Sequence, residues 1–400
     1  MPDLMTLMTM QEKYQPTLLS LHGVEGIGIG SVSPDSAEQG LIIYTSRELV
    51  QVGQIVMRDG EQEVKVRFIQ TGAFVANGAL PLPTAMDAKE YKARVRPASA
   101  GYSVGHTEAG IAGSAGLVCA MLIKHAGQYV TLPLTFSNKH VCIHDNQQSE
   151  WPHIVQPGSA DGGQDEEDRV GKSYLAWSLQ KKDDNFEDCA AYYPVPYQWD
   201  RFTGVYPGVG VLKEAWWAFT NQLTGCLKVG RTTGKVYGEV EAFNVTLKVN
   251  YEGYGDLGTI TFKQMTVVLG KEDQAVSLPG DSGSTWVAPY PGRSGEYVIA
   301  GINFAGPADG KRSISFSFGP KVTQLQEEGT PLIPHDWSFG DKCITVVTPD
   351  KKSQLIMKRM AESRRVLTKG ASLFQRDSIG EAAVRHLVPS TPITYFRSKL

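Results

Sequence analysis

Pro279-Gly-Asp-Ser-Gly-Ser284, followed directly by an apolar run at Thr285–Ala288, is the stretch of this sequence that decides the fold. Gly280 permits an unusual backbone turn, which allows the amides of Gly280 and Ser282 to point at one spot. Two converging N–H donors form an oxyanion hole, usually the largest contribution to acyl-transfer catalysis. The stretch therefore predicts Ser282 as a nucleophile, although a Gly-Asp-Ser-Gly tetrapeptide can also be an accidental turn.

A serine hydroxyl is a weak nucleophile unless a base activates it. The candidate base is His140, which follows a predicted strand, and Asp188 at the start of another apolar strand can orient the imidazole. The chain order His, Asp, Ser is that of the chymotrypsin topology, whereas α/β-hydrolases and subtilisins use other orders. The three residues together predict a hydrolytic triad.

The composition indicates a turn-rich β protein. The 400 residues are 41% hydrophobic and 20% charged, with 42 glycines and 22 prolines, which excludes collagen-like, disordered and disulfide-scaffold classes. From Gly101 to Leu325 about ten short apolar or alternating runs are separated by Gly, Pro, Asn and Asp, a pattern typical of a β-barrel or sandwich pair.

Composition shifts divide the chain into four predicted segments. Residues 1–78 are predicted as a small α+β domain, 79–100 as a linker, 101–335 as the catalytic domain, and 336–400 as a helical extension with helices at Lys351–Val366 and Ile379–Leu387. From Asp350 to Leu400 eleven Lys/Arg stand against four Asp/Glu, so this end carries +7 and residues 1–349 carry −10. A basic tail resting on an acidic body is one interpretation, and recruitment of an acidic partner is the other.

The opening residues lack the pattern of a secretory signal, and no apolar run approaches the roughly 18 residues that a membrane span needs. The five cysteines are odd in number and scattered, which favours free thiols in a reducing compartment. We therefore expect a cytoplasmic protein, with a mature secreted form as the alternative.

Several further segments carry a family resemblance. Gly230-Arg-Thr-Thr-Gly234 looks like a loop of α-lytic-type proteases, and Val155–Gly163 and Arg96–His106 look like an intracellular bacterial-type subgroup with an extra N-terminal domain. The stretch Gly101–Leu325 thus resembles the trypsin-like serine peptidases of the chymotrypsin fold. The resemblance implies a mainly β protein with a two-barrel core that acts as a serine endopeptidase.

The resemblance also implies roles for residues outside the triad. Asp281 should be buried and paired with Arg231, which would hold the oxyanion loop open without a cleavage. Val276, six residues before the nucleophile, occupies the position that determines specificity in relatives. The substrate strand, expected to pair with an extended peptide, comprises Gly301, Ile302, Asn303, Phe304, Ala305 and Gly306.

No cofactor is implied, and we expect no metal. His140 and His144 lack the intervening Glu of a zinc motif, and the acidic loop from Asp161 to Asp168 lacks the regular spacing of calcium ligands. The expected partner is a protein or peptide substrate, with neither nucleic acid nor membrane. Two alternatives stay open: a non-catalytic peptide-binding module on the same fold, and a latent regulatory or defence protease that a protein partner activates.

Overall fold

A computed structural model of the protein describes residues 2–33, 36–47, 55–76, 88–107, 110–125, 128–143, 151–194, 201–216, 225–290, 292–334, 343–347, 358–362, 364 and 374–376. The helices of this part of the chain are α1 (Leu4–Ser20), α2 (Lys89–Lys92), α3 (Lys139–Cys142) and α4 (Gly319–Glu327). Residues 358–362 and 364 are also helical.

The strands, given in chain order, are β1 (Val24–Ser31), β2 (Gln39–Thr45), β3 (Ile55–Asp59), β4 (Gln62–Gln70), β5 (Phe74–Ala76), β6 (Ser103–His106), β7 (Gly113–Ser114), β8 (Val118–His125), β9 (Gln128–Ser137), β10 (His153–Val155), β11 (Arg169–Trp177), β12 (Ala190–Pro194), β13 (Val205–Tyr206), β14 (Gly210–Val211), β15 (Glu214–Trp216), β16 (Cys226–Gly230), β17 (Gly234–Asn250), β18 (Thr259–Gly270), β19 (Thr285–Pro289), β20 (Tyr297–Pro307), β21 (Arg312–Ser317), β22 (Leu332–Pro334), β23 (Thr345–Val347) and β24 (Phe374–Arg376).

Two sheets contain nearly all of these strands. The large sheet runs β16–β19–β20–β21–β18–β17–β1–β2–β4–β3, with β5, β15 and β23 attached, and β16 also pairs with β17. The small sheet runs β22–β8–β9–β12–β11–β10–β6–β7, with β24 paired to β11. The prediction of a mainly β fold with two barrel-like sheets is confirmed.

The N-terminal strands continue the large sheet. Strand β1 pairs antiparallel with β17, and the opposed residues include Gly26 and Leu247. A Cβ on Gly30 would lie 2.2 Å from the carbonyl oxygen of Glu241, so glycine lets the two strands approach closely. Helix α1 covers this junction, and its Leu7 is buried in one apolar cluster with Phe243 of β17. The boundary expected at residue 78 therefore does not separate two sheets.

Most of the basic C-terminal segment lies outside the described residues, including the helix predicted at Ile379–Leu387. Residues 358–362 are helical, as expected for Lys351–Val366. Met360 is buried in the apolar cluster beneath α1, and Arg359 forms an ion pair of 2.6 Å with Glu12. The helical part thus packs on the protein body, whereas β23 and β24 are strands where only helices were predicted.

All five cysteines are free thiols, and four of them are buried. The helices of the described residues include none with the length and apolar character needed to cross a membrane.

The continuity of the large sheet can be tested with Leu41, a fully buried residue of β2. The change Leu41→Ala should lower the free energy of unfolding by about 2–5 kcal/mol. All seven tryptophans lie after residue 150, so their fluorescence reports on the rest of the protein. We expect the tryptophan transition in urea to shift to lower urea concentration in Leu41→Ala.

The control is Val56→Ala, at a residue that is 39% exposed on β3, and it should leave the urea midpoint nearly unchanged. An independent N-terminal domain would instead leave the tryptophan transition of Leu41→Ala at the wild-type midpoint.

Candidate active site

Three predicted side chains meet between the two sheets. His140 lies on α3 directly after β9, Asp188 lies just before β12, and Ser282 lies just before β19. The Nε2 atom of His140 is 2.7 Å from Oγ of Ser282, and Nδ1 of the same ring contacts Oδ2 of Asp188. The imidazole and the carboxylate come from the small sheet and the hydroxyl comes from the large sheet, so the constellation depends on how the two sheets pack.

Asp188 is completely buried and is held by three donors. Its Oδ1 accepts the amide of Lys139 at 2.7 Å, and its Oδ2 accepts the hydroxyl of Tyr251 at 2.7 Å as well as contacting His140. Burial raises the pKa of Asp188, but His140 and the hydrogen bonds outweigh burial and hold this pKa below its ordinary value of 3.8. The carboxylate therefore stays ionised at neutral pH, as a group that orients an imidazole requires.

Two tyrosines that the sequence analysis missed enclose the imidazole. The rings of Tyr251 and Tyr254 lie 6.1 and 6.2 Å from the His140 ring, and both meet it edge-on. The hydroxyl of Tyr254 donates to the carbonyl of Ile143 at 3.1 Å. Burial and the neighbouring Asp188 raise the pKa of Tyr251 well above its ordinary value, so its hydroxyl remains a donor. No sequence spacing links a tyrosine at 251 to an aspartate at 188.

In the loop before Ser282, the carbonyl of Pro279 is held by a hydrogen bond from another part of the chain. Gly280 has φ +97°, in the region that favours glycine. The hydroxyl of Thr232 donates to the carbonyl of Pro279 at 2.7 Å. In a trans peptide the N–H points away from the carbonyl, so the amide of Gly280 is directed away from Thr232.

The carbonyl of Asp281 is fixed in the same way. It accepts Nδ2 of Asn303 at 3.0 Å and the amide of Ser284 at 3.0 Å, which turns the amide of Ser282 to the opposite side. Within the described residues, the amides of Gly280 and Ser282 have no hydrogen-bond acceptor. Two oriented and unpaired amides beside a serine hydroxyl are what an oxyanion hole requires.

The prediction that Arg231 forms an ion pair with Asp281 is wrong, because a different cation pairs with Asp281. Arg231 instead contacts Asp161, which lies in the connection between β10 and β11 of the small sheet: its Nε is 2.8 Å from Oδ2 of Asp161 and its Nη2 contacts Oδ1. The nearest cation to Asp281 is Lys228, whose Nζ is 3.7 Å from Oδ2. Gly230 leaves room for this approach, because a Cβ there would lie 2.8 Å from Nζ of Lys228. The side chain of Arg231 therefore contacts the part of the chain that carries the small sheet, and not Asp281.

The Asp281 carboxylate is also held by backbone amides. Its Oδ1 accepts the amides of Thr232 and Thr233, both at 3.0 Å, and its Oδ2 accepts the amide of Leu278 at 3.0 Å. Burial lowers the pKa of Lys228, and the charge of Asp281 opposes this effect. The pair is completely buried, so each charge depends on the other.

The predicted substrate-binding residues are nearly all interior. Val276 is fully buried in an apolar cluster with Trp286. Gly301 and Ile302 pair with β19 on one side and β21 on the other. The Phe304 ring is buried and its centroid lies 4.7 Å from that of Phe262. Gly301, Ile302 and Phe304 thus lie in β20, inside the large sheet, and Val276 packs in the interior before β19. In the described part of the chain, β19 and β21 cover both edges of β20 at Gly301 and Ile302.

The last two residues of the expected substrate strand are also paired. Ala305 is opposed to Ala76 and Gly306 to Val75, in an antiparallel pairing of β20 with β5. Ala305 and Gly306, which we expected to pair with a substrate, thus pair with a strand of this same chain.

A buried charge cluster that the sequence analysis also missed lies next to Asp188. Glu187 contacts Lys321 of α4 and lies 3.3 Å from Nη1 of Arg364 in the C-terminal segment. Arg364 also donates to Oε1 of Gln264 at 2.6 Å. Burial lowers the pKa of Lys321, and Glu187 opposes this effect. The C-terminal segment thus contacts the residue directly before Asp188.

No group of three or more His, Cys, Asp or Glu side chains that could hold a metal ion occurs in the part of the chain that the structure describes. His144, considered above as a metal ligand, lies outside that part.

The hydrogen bond of Tyr251 to Asp188 can be tested with Tyr251→Phe. A hydrogen bond to a charged group contributes about 1.5–3 kcal/mol, so the rate of Ser282 modification by a fluorophosphonate should fall about 10- to 100-fold.

The same variant tests the effect on stability. Because the pKa of Asp188 is lowered in the folded protein, the stability that its charge adds is present above pH 3.8 and is lost as the pH falls further. Without the Tyr251 hydroxyl this pKa should rise, so acid unfolding should begin at a higher pH.

Tyr237→Phe is the matched control, because Tyr237 is 45% exposed. Circular dichroism against pH measures the acid transition, and identical transitions in both variants would contradict the role given to Tyr251.

The assignment of Lys228 as the cation that pairs with Asp281 can be tested with Lys228→Met. Removing one partner of a buried ion pair costs about 3–5 kcal/mol, and urea unfolding measures this loss. Adding Asp281→Asn should recover much of the lost stability, because the neutral amide needs no cation.

Arg231→Met supplies the comparison, since Asp281→Asn should not rescue a loss that arises at Asp161. Rescue of Arg231→Met and not of Lys228→Met would reverse the assignment of the two cations.

Comparisons with known proteins give similarity at the level of structure only. No protein-family model matches the sequence, and no curated protein matches it. Among solved structures, the chain is similar to Thermobifida fusca protease A (16% identity, covering 59% of this chain and 98% of that one, TM-score 0.35) and to Nocardiopsis protease (16%, 59% and 99%, 0.34). It is also similar to a glutamic-acid-specific serine protease (17%, 58% and 98%, TM-score 0.36). Similarity at this level does not assign an activity to the chain.

Proposed function

We propose that this protein is a serine endopeptidase in which Ser282 is the nucleophile, His140 the general base and acid, and Asp188 the residue that orients the imidazole. The observation that carries the proposal is the continuous hydrogen-bonded chain from the Ser282 hydroxyl through His140 to a buried carboxylate. The unpaired amides of Gly280 and Ser282 beside the Ser282 hydroxyl support it, because two such donors can stabilise an oxyanion.

In the first half of the reaction, Oγ of Ser282 attacks the scissile carbonyl carbon and its proton passes to Nε2 of His140. The tetrahedral oxyanion accepts the amides of Gly280 and Ser282. When the C–N bond breaks, the imidazolium returns the proton to the leaving amine, and an ester on Ser282 remains. Asp188 stabilises the imidazolium throughout without accepting the proton.

In the second half, a water molecule replaces the amine. His140 removes a proton from the water as the oxygen attacks the ester carbonyl, and then protonates Oγ of Ser282 as the acid product leaves. The enzyme regains its starting protonation state and needs no cofactor. The substrate is a protein or peptide, and the five free thiols fit a reducing compartment such as the cytoplasm.

Labelling with a fluorophosphonate tests the proposal. The wild-type protein should become covalently modified at Ser282, whereas Ser282→Ala should not be labelled and His140→Ala should be labelled far more slowly. Ser20→Ala, which removes an exposed hydroxyl bonded only within α1, should be labelled like the wild type. Intact-protein mass spectrometry measures the adduct and peptide mapping locates it.

Absence of labelling in a folded wild-type protein, under conditions that open the substrate strand as described below, would overturn the proposal. The non-catalytic peptide-binding module would then be favoured.

A further inference from the structure

An extended peptide could reach Ser282 by pairing with β20. In the described part of the large sheet, the stretch of β20 where it could do so is occupied by β5. The opposed residues are Ala305 with Ala76, Gly306 with Val75 and Pro307 with Phe74. Strand β21 covers the other edge of β20. On the same edge as β5, the earlier residues of β20, from Tyr297 to Ile302, pair with β19. A peptide that adds to this sheet by strand pairing must therefore take the place of β5.

The chain direction of β5 is the direction in which the acyl side of a peptide substrate would run. Asn303, inside β20, lies next to the nucleophile loop, because its carbonyl accepts the amide of Gly283 at 2.9 Å. From Asn303, β20 runs away from the nucleophile to Pro307. Strand β5 is antiparallel to it, so the chain runs from Phe74 to Ala76 towards the nucleophile. A peptide whose scissile carbonyl lies at Ser282 would approach along this edge in the same direction.

We propose that β5 is a built-in pseudosubstrate, which occupies the position of the acyl side of a peptide substrate and keeps the protein latent until it is displaced. This proposal rests on the proposed peptidase function and adds the regulation and the substrate class of the same site. Strand β5 is only three residues long, and it pairs antiparallel with β20 and, through Phe74 and Val75, parallel with β17. Because β5 is part of the same chain, it does not have to bind from solution. A tethered segment acts at an effective concentration of about millimolar, which a free peptide must exceed.

The side chains of β5 indicate the substrate class. Phe74 is buried and meets the Tyr44 ring edge-on, with ring centroids 5.7 Å apart. Ala76, nearest to Ser282, is also buried, whereas Val75 is half-buried. The site thus accommodates an extended apolar segment with a small residue closest to the nucleophile and an aromatic residue two positions before it.

The test measures peptide binding in a Ser282→Ala background, so that its outcome does not depend on catalysis. The probe is a fluorescein-labelled peptide with the sequence of residues 71–76, Thr-Gly-Ala-Phe-Val-Ala, and the readout is fluorescence anisotropy. Val75→Pro should weaken β5, because proline lacks the N–H and disfavours a strand interior. We expect the peptide to bind at least about tenfold more tightly once the tethered competitor is weakened.

The matched control is Val56→Pro in the edge strand β3 of the same sheet, which should leave the peptide affinity at the value of Ser282→Ala alone. A peptide of the same composition in reversed order should bind neither protein. Equal affinities for Val75→Pro and Val56→Pro, with both proteins folded by circular dichroism, would overturn the proposal.

A reversible lock provides a second test if Val75→Pro does not fold. Ala76 and Ala305 are directly opposed, and opposed residues of antiparallel strands lie at a spacing that a disulfide can bridge. In Ala76→Cys/Ala305→Cys, oxidation should abolish peptide binding and reduction should restore it. Binding that is unaffected by oxidation, with the disulfide verified by mass spectrometry, would overturn the proposal.

The two proposals fail separately. If weakening β5 opens peptide binding but the same change in a protein with Ser282 intact gives no fluorophosphonate adduct, the pseudosubstrate stands as the gate of a binding module and the peptidase function falls. If Ser282 is labelled by the small probe but β5 never competes with peptide, only the pseudosubstrate falls.

Discussion

The hydrogen bond between His140 and Ser282 joins the small sheet to the large sheet, and the rest of the site depends on it. A separation of 2.7 Å tolerates little relative movement of the sheets, since hydrogen bonds weaken steeply when their geometry is lost. Arg231, directly after β16, contacts Asp161 between β10 and β11, and Tyr251, directly after β17, donates to Asp188, just before β12. Several buried polar contacts thus fix the one distance on which the chemistry relies.

Buried carboxylates organise the site in two different ways. Asp188 is held ionised by donors that surround it, and its charge serves the imidazole. Asp281 is held by three backbone amides and Lys228, and its charge serves the loop that aims the amides of Gly280 and Ser282. Both groups depend on partners from distant parts of the chain, because an isolated buried charge is too costly to keep.

Segments outside the two-sheet core also reach the site. The N-terminal strands extend the large sheet, and β5 pairs with β20 at Ala305–Pro307. From the other end of the chain, Arg364 contacts Glu187, the neighbour of Asp188. Residues from both ends of the chain therefore contact the two sheets that hold the site.

The sequence alone determined the mainly β class and the three side chains that meet at the site, because strand patterning, a glycine turn and the order of the triad are local signals. It did not determine which cation neutralises Asp281, that Tyr251 holds Asp188, or that β5 pairs with β20. Each of these depends on residues far apart in the chain that meet only after the sheets close. A side chain's partner in the interior is set by packing and direction, and the tertiary structure alone decides both.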